Sequence, residues 1–175
     1  MIKSILADLL TVKQSLSRIN GTITKLAELA FIDFLRERCI ISDEEVQQLT
    51  GHSLEVSAFA NGYDVYIPEK KIVAEIKALI PYEGLRFGGA QIQSLEKDVD
   101  GLIDPSKKKK AQVNSTECIK FLVLLSSQDE TSFSSAVKGL VRHLSNKGFF
   151  VTDSLPEDNK LLNTNTIYIV TIPLY

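Results

Sequence analysis

Between residues 62 and 79, two carboxylates, Asp64 and Glu75, and the ammonium group of Lys77 are spaced so that they could act together. This stretch predicts a β-hairpin, because two runs rich in β-branched and aromatic residues flank a Pro-Glu-Lys-Lys segment that breaks both runs. If Ile67 pairs with Ile72, the same register puts Asp64 directly opposite Glu75. Like charges in that arrangement destabilise a sheet, so the pair predicts a compensating cation.

Lys77 supplies a positive charge next to this pair. Because side chains alternate along a strand, Glu75 and Lys77 share one face, and Ala74 and Ile76 share the other. Paired carboxylates suit a hard cation such as Mg²⁺, and a nearby lysine suits the orientation or activation of a water. The polar face is therefore a candidate site of phosphodiester cleavage. The alternative is a solvated sheet face with ordinary charge alternation.

The order Asp64, then Glu75-Ile76-Lys77, resembles the PD-(D/E)XK motif of the restriction-endonuclease-like nuclease superfamily, except that Tyr63 stands where the motif has proline. The resemblance implies an α/β fold over a single domain of residues 1–175: a three-layer sandwich with a central mixed β-sheet flanked by helices. It implies that Asp64, Glu75 and the main-chain carbonyl of Ile76 bind Mg²⁺, which Mn²⁺ could replace. Lys77 would position or deprotonate the attacking water.

The function implied by the resemblance is metal-dependent hydrolysis of DNA phosphodiester bonds. The simplest form is a restriction-type endonuclease that acts as a homodimer on a two-fold symmetric site. A repair or junction-resolving nuclease is an alternative within the same class. A second alternative is a catalytically silent DNA-binding or assembly module of the same fold, and a third is one subunit of a larger nuclease system. The recognition site and the choice between DNA and RNA stay open.

A further acidic candidate, Glu28, lies before the hairpin. Asn20-Gly21 is predicted to end one helix and to form a loop before the next, which gives a helical hairpin at residues 1–38. Glu28 falls at the edge of the apolar stripe of the second helix, from which it could reach a neighbouring cleft. The resemblance implies that Glu28 completes the catalytic site through a metal-bound water. A surface role is the alternative, and Glu37 is a competing candidate.

Several polar residues after the hairpin are candidates for nucleic-acid binding. A run of four lysines follows a predicted helix at about residues 90 to 103, and such a run can neutralise phosphates. Two glutamines lie on the polar face of that helix, where they could touch the substrate. These candidates are Lys107, Lys108, Lys109, Lys110, Gln91 and Gln93. The alternatives are a solubilising loop and a solvated helix face.

The remaining segments predict an alternation of strands and helices. Ser42 begins a capping box and a short helix to about Leu49. A first strand at residues 54–60 follows, and then a turn at Asn61-Gly62. Residues 119–125 form a continuous apolar run, which is typical of a central parallel strand buried on both faces. Another amphipathic helix and two final strands come after it.

The composition is that of an ordinary globular domain, since 44% of the 175 residues are hydrophobic and 24% are charged. No run of eighteen apolar residues occurs, so we expect a cytoplasmic protein without a membrane span. The net charge of −2 gives no overall attraction to nucleic acid, which would have to come from local basic patches. Cys39 and Cys118 lack the spacing of a disulfide framework or a zinc site and are predicted to be core thiols.

Overall fold

The computed structural model describes residues 2–55, 62–79, 81, 86–108, 113–126 and 130–173. Within this part of the chain, four α-helices accompany one five-stranded sheet. The helices are α1 (Ile2–Glu37), α2 (Asp43–Glu55), α3 (Gly89–Ile103) and α4 (Glu130–Asn146). The strands are β1 (Val65–Ile67), β2 (Ile72–Ala78), β3 (Ile119–Ser126), β4 (Val151–Thr152) and β5 (Ile167–Pro173).

The sheet is mixed, with the strand order β1-β2-β3-β5-β4. β1 runs antiparallel to β2, whereas β2, β3, β5 and β4 run parallel to one another. The predicted central parallel strand is confirmed, because β3 lies between β2 and β5 and is buried along most of its length. Helices on both faces account for the apolar run from Phe121 to Leu125, which follows the buried Lys120.

Helices pack on both faces of the sheet. On one face, α1 and α2 cover alternate residues of the strands, and the ring of Phe31 on α1 packs edge-on against Phe121 of β3, with centroids 5.3 Å apart. On the other face, α3 and α4 bury a second cluster that includes Leu95, Leu140 and Val73. The predicted α/β class with a mixed sheet is confirmed, and the arrangement is compatible with a three-layer sandwich.

The helical hairpin predicted at residues 1–38 is wrong, because α1 runs without a break through Asn20 and Gly21. Within this continuous helix, the Thr24 hydroxyl donates to the main-chain carbonyl of Asn20 at 3.0 Å. A glycine inside a helix costs only about 1 kcal/mol relative to alanine. Packing of the later turns of α1 against the sheet outweighs that cost.

The capping box at Ser42 is confirmed. The Ser42 main-chain N–H donates to the Glu45 carboxylate at 2.7 Å, and the Glu45 N–H donates to the Ser42 hydroxyl at 3.3 Å. The helix that follows continues to Glu55, so Leu54 and Glu55, predicted to begin a strand, are helical. Gly51 did not end the helix, and a short apolar alternation can equally be read along a helix. The rest of the predicted strand and Asn61 lie outside the described residues.

The later elements follow their predictions closely. α3 begins one residue before the predicted start and ends at Ile103 as predicted, and its apolar stripe, which includes Leu95 and Val99, is buried.

Cys118 is buried as predicted, but Cys39 is exposed just after α1, so its prediction as a core thiol is wrong. Among the described residues, no helix combines the length and the apolar character needed to cross a membrane.

Candidate active site

The hairpin of β1 and β2 has the predicted register, with Ile67 paired to Ile72 and Val65 paired to Ala74. Its turn is a single 3₁₀ turn at Pro68–Lys70, which the Lys71 N–H closes by donating to the Pro68 carbonyl at 3.0 Å. Proline starts such a turn readily because its φ angle is already suitable. The tight turn fixes the register and therefore fixes which residues face each other at the far end.

Asp64 lies one position beyond the last pair of this ladder, in line with Glu75. Its N–H donates to the Ala74 carbonyl at 3.1 Å, and its Oδ2 accepts the Ile76 N–H at 2.7 Å. The other oxygen, Oδ1, is buried and accepts no hydrogen bond from any described residue. In a strand, the N–H and C=O of one residue point to the same side. The Ile76 carbonyl is therefore directed toward the edge of β2 at which Asp64 lies.

Glu75 is the more buried of the two carboxylates, with 3% of its surface exposed against 8% for Asp64. The ammonium of Lys108 binds its Oε1 and also donates to the Gly62 carbonyl at 2.8 Å. The same ammonium lies 4.4 Å from the centroid of the Tyr63 ring, within the range of a cation–π contact. Lys108 is thus the direct counter-ion of Glu75.

The chain provides a fitted slot for Lys108. Gly101 on α3 lines it, because a Cβ atom at that position would lie 2.7 Å from Cε and 3.0 Å from Cγ of the lysine. The Tyr63 hydroxyl donates to the Gly101 carbonyl at 3.2 Å and so links the hairpin to α3. Gly62 enters the hairpin with a φ of +86°, a conformation that glycine adopts without strain. The side chain of Lys108 is only 15% exposed as a result.

Lys77 is paired with a different carboxylate, that of Asp98 on α3, at 3.2 Å between Nζ and Oδ2. The side chains of both residues are largely buried. The Asp98 Oδ2 makes no properly directed hydrogen bond with a described residue, so the contact with Lys77 is an ion pair at close range. The edge of β2 near Asp64 therefore carries three carboxylates and two ammonium groups.

The carboxylates of this cluster bind protons more tightly than free side chains do. Burial and then the charge of Asp64 raise the pKa of Glu75 to about 7, although Lys108 opposes the shift. Burial likewise raises the pKa of Asp64, against the hydrogen bond from Ile76 and the charge of Lys77. Burial also raises the pKa of Asp98. A further cation among these groups would favour their ionised forms.

The lysine of the motif keeps its proton. Burial lowers the pKa of Lys77, but the charges of Asp98 and Glu75 outweigh burial, and the net effect is a raised pKa. Near neutral pH the side chain is therefore an ammonium ion. It can donate hydrogen bonds and stabilise negative charge, whereas removal of a proton from water would require its neutral form.

Glu28 is buried on α1, with 3% of its surface exposed, and forms an ion pair with Lys25 at 2.9 Å. Its charge is close enough to raise the pKa of Asp64. The competing candidate, Glu37, is exposed near the end of the same helix. Of the two glutamates, the geometry therefore favours Glu28 as a neighbour of the site.

The predicted nucleic-acid-binding residues fall into different environments. Lys107 is exposed and pairs with Asp100 at 3.0 Å, whereas Lys108 is enclosed in the carboxylate cluster. Gln91 caps α3 by accepting the Gly88 N–H at 2.8 Å, and Gln93 is exposed. Lys109 and Lys110 lie outside the described residues.

Two members of the cluster escaped the sequence-based prediction. Asp98 stands between Lys97 and the buried Val99, so the helical period of α3 already placed it near the apolar stripe. A carboxylate at such a boundary is a sign of a buried ion pair. Lys108 carried no such signal, because its place in a lysine run resembles a solvated loop and only the fold brings it to Glu75.

The described side chains of the cluster do not by themselves form a closed metal site. Over the part of the chain that the structure describes, no three acidic, histidine or cysteine side chains converge closely enough to hold an ion between them. Asp64 and Glu75 are close enough for the charge of Asp64 to raise the pKa of Glu75, and Lys108 forms an ion pair with Glu75. A comparison of the chain with protein-family models, with curated proteins and with solved structures finds no match.

Proposed function

We propose that the chain is a metal-dependent nuclease of the restriction-endonuclease-like fold, which hydrolyses DNA phosphodiester bonds. The observation that carries the proposal is the buried Asp64 Oδ1, which accepts no hydrogen bond from the described residues. A buried carboxylate oxygen without a partner is costly unless a cation or proton completes it. The α/β architecture with a mixed sheet and the Asp64, Glu75 and Lys77 order agree with this fold.

Asp64 and Glu75 fit a hard divalent cation such as Mg²⁺, and the Ile76 carbonyl points toward the same edge. Oxygen ligands of this kind are those that Mg²⁺ and Mn²⁺ prefer. A bound Mg²⁺ would supply positive charge that activates a water and polarises the phosphate. Glu28, close enough to influence Asp64, would assist from α1 by accepting a hydrogen bond from water at the site.

Lys77 would position the attacking water by hydrogen bonding and would stabilise the charge that develops on the phosphate. The raised pKa supports this role over proton removal, because the side chain is charged at neutral pH. Asp98 would act as a positioning residue, since its carboxylate holds the ammonium of Lys77 at 3.2 Å. The ion pair would keep the ammonium group of Lys77 beside the acidic pair.

Lys108 would have to give up Glu75 when a divalent cation binds there, because both compete for the same carboxylate. Released from Glu75, the lysine would contact a phosphate of the substrate beside the exposed Lys107. A two-fold symmetric DNA site cut by a homodimer is the simplest arrangement for a restriction-type enzyme. Contacts to phosphates make binding strongly dependent on salt but independent of base sequence.

The second candidate function is a catalytically silent DNA-binding or assembly module. The ion pair of Lys108 with Glu75 favours it, because an internal ammonium already neutralises one of the two metal-binding carboxylates. In that case the cluster would serve the fold alone. The two functions differ in whether a divalent cation can displace Lys108.

Cleavage assays with purified protein distinguish these functions. Supercoiled, single-stranded and branched DNA, together with RNA, would be incubated with Mg²⁺ or Mn²⁺ and with the wild type or the variants Asp64→Asn and Lys77→Met. Loss of either group is expected to lower the cleavage rate by at least about 100-fold, in line with other electrostatic contributions to catalysis. The matched control is Lys97→Met, which removes an exposed lysine of α3.

Metal binding would be measured on the same proteins by isothermal titration calorimetry. The nuclease proposal expects Mn²⁺ binding to the wild type that Asp64→Asn weakens. Metal binding without cleavage of any of the four substrates would favour the silent module. Absence of both metal binding and cleavage would refute the proposed function.

A further inference from the structure

Two large apolar side chains on α1 face solvent. Ile19 is 52% exposed and Leu26 is 62% exposed, and they are seven residues apart on one continuous helix. Leu35, roughly half a turn around the helix from Leu26 at about 100° per residue, is fully buried against the sheet. The exposed pair therefore belongs to the side of α1 that faces away from the domain.

The sequence of α1 extends this exposed pair into a long heptad pattern. Apolar residues alternate at spacings of three and four through three and a half heptads, which is the spacing of a coiled-coil seam. The a positions are Ile2, Leu9, Leu16 and Ile23, and the d positions are Ile5, Val12, Ile19 and Leu26. A helix of 36 residues spans about 54 Å, which is longer than one face of a small sheet requires.

We propose that this seam joins identical copies of the chain through a parallel coiled coil formed by residues 2–26 of α1. The charges suit the pairing of identical chains, because the acidic Asp8 is at a g position and the basic Lys13 is at the following e position. Those two positions face each other between parallel helices in register, so each copy offers the complement of the other.

The rest of the helix surface agrees with this register. Gly21 falls at an f position, which faces away from the seam, and a Cβ atom there would meet nothing within 4 Å. Ile23 differs from the other described seam positions, because it is partly buried against the core of its own domain.

The molar mass of the full chain in solution tests the proposal, measured by size-exclusion chromatography with light scattering. The wild type is expected to have the mass of two or more chains, and Ile19→Asp the mass of one. The control Gly21→Asp places the same charge two residues away at an outward position and should keep the wild-type mass. Circular dichroism would show that all three proteins are folded.

A monomeric wild type, or an Ile19→Asp variant with the wild-type mass, would overturn the proposal. The parallel direction is tested by Leu26→Cys in a Cys39→Ser background, which should form disulfide-linked chains on oxidation. Gly21→Cys in the same background should remain uncrosslinked. Crosslinking at position 21 in place of position 26 would also overturn the seam. None of these measurements depends on nuclease activity, so the two proposals can fail separately.

Discussion

Replacing Glu75 by glutamine is expected to stabilise the protein at alkaline pH when a chelator removes divalent metals. Burial and the charge of Asp64 raise the pKa of Glu75 from its usual 4.5 to about 7. A tenfold change in an ionisation constant corresponds to about 1.4 kcal/mol, so the charged form costs the fold about 3 kcal/mol. Glutamine removes that charge and keeps an oxygen that can accept a hydrogen bond from Lys108.

The direction of the pH dependence follows from the raised pKa of Glu75. The folded protein binds this proton more tightly than the unfolded chain, so the stabilisation is complete below about pH 4.5 and disappears as the pH rises through about 7. Relative to the Glu75→Gln variant, the wild type should therefore gain about 3 kcal/mol between about pH 8 and pH 4.5. This gain is opposite to ordinary acid denaturation, in which paired carboxylates lose stability on protonation.

Urea denaturation in EDTA, followed by circular dichroism at several pH values, measures the effect. Glu117→Gln is the matched control, because Glu117 is exposed and pairs only loosely with Lys71 at 3.4 Å. Its free energy of unfolding should change by less than about 1 kcal/mol, as for other exposed ion pairs. If Glu75→Gln is less stable than the wild type at about pH 8, or if both show the same pH dependence, the assigned electrostatic cost is wrong.

Three other predictions follow from single contacts. Lys108→Met should tighten Mn²⁺ binding at least about tenfold in calorimetry, since a hydrogen bond to a charged group such as Glu75 contributes roughly 1.5–3 kcal/mol. An unchanged affinity would contradict the proposed competition between Lys108 and the metal for Glu75. Asp98→Asn should shift the alkaline limit of DNA cleavage to lower pH, because Asp98 counters the effect of burial and raises the pKa of Lys77. An unchanged pH–rate profile would exclude the role of Asp98 in positioning Lys77. Gly21→Ala should raise the free energy of unfolding by about 1 kcal/mol, since its Cβ meets no other atom and alanine favours the helix; a loss of stability in urea would contradict the open space seen there.

The local parts of the fold were predictable from the sequence. The turn between Ile67 and Ile72 and the alternation of polar and apolar residues determined the hairpin register, and the register placed Asp64 in line with Glu75. The apolar run of β3 was equally informative, because only a strand covered on both faces tolerates it. These features are predictable because residues that are close in sequence determine them.

The parts that depend on distant residues were not predictable. Asn20-Gly21 looks like a helix stop, but packing of α1 against the sheet overrides local preference. Lys108 looks like one of four equivalent lysines, and only the slot lined by Gly101 distinguishes it. Asp98 is the intermediate case. The helical period of α3 places it near the buried stripe, but its partner Lys77 lies on β2, which local sequence does not connect to α3.

The hairpin has a consequence for the order of folding. Its two strands are joined by a tight turn, so it can close early and at little cost in chain entropy, whereas Lys108 is 33 residues beyond Glu75 and must wait for α3. Near neutral pH, the early hairpin therefore carries charge repulsion between Asp64 and Glu75 that Lys108 does not yet relieve. Folding should be slowed by this repulsion to the extent that the hairpin is formed in the transition state. The repulsion within an acidic pair that is proposed to bind a metal would thus slow the assembly of the fold that holds it.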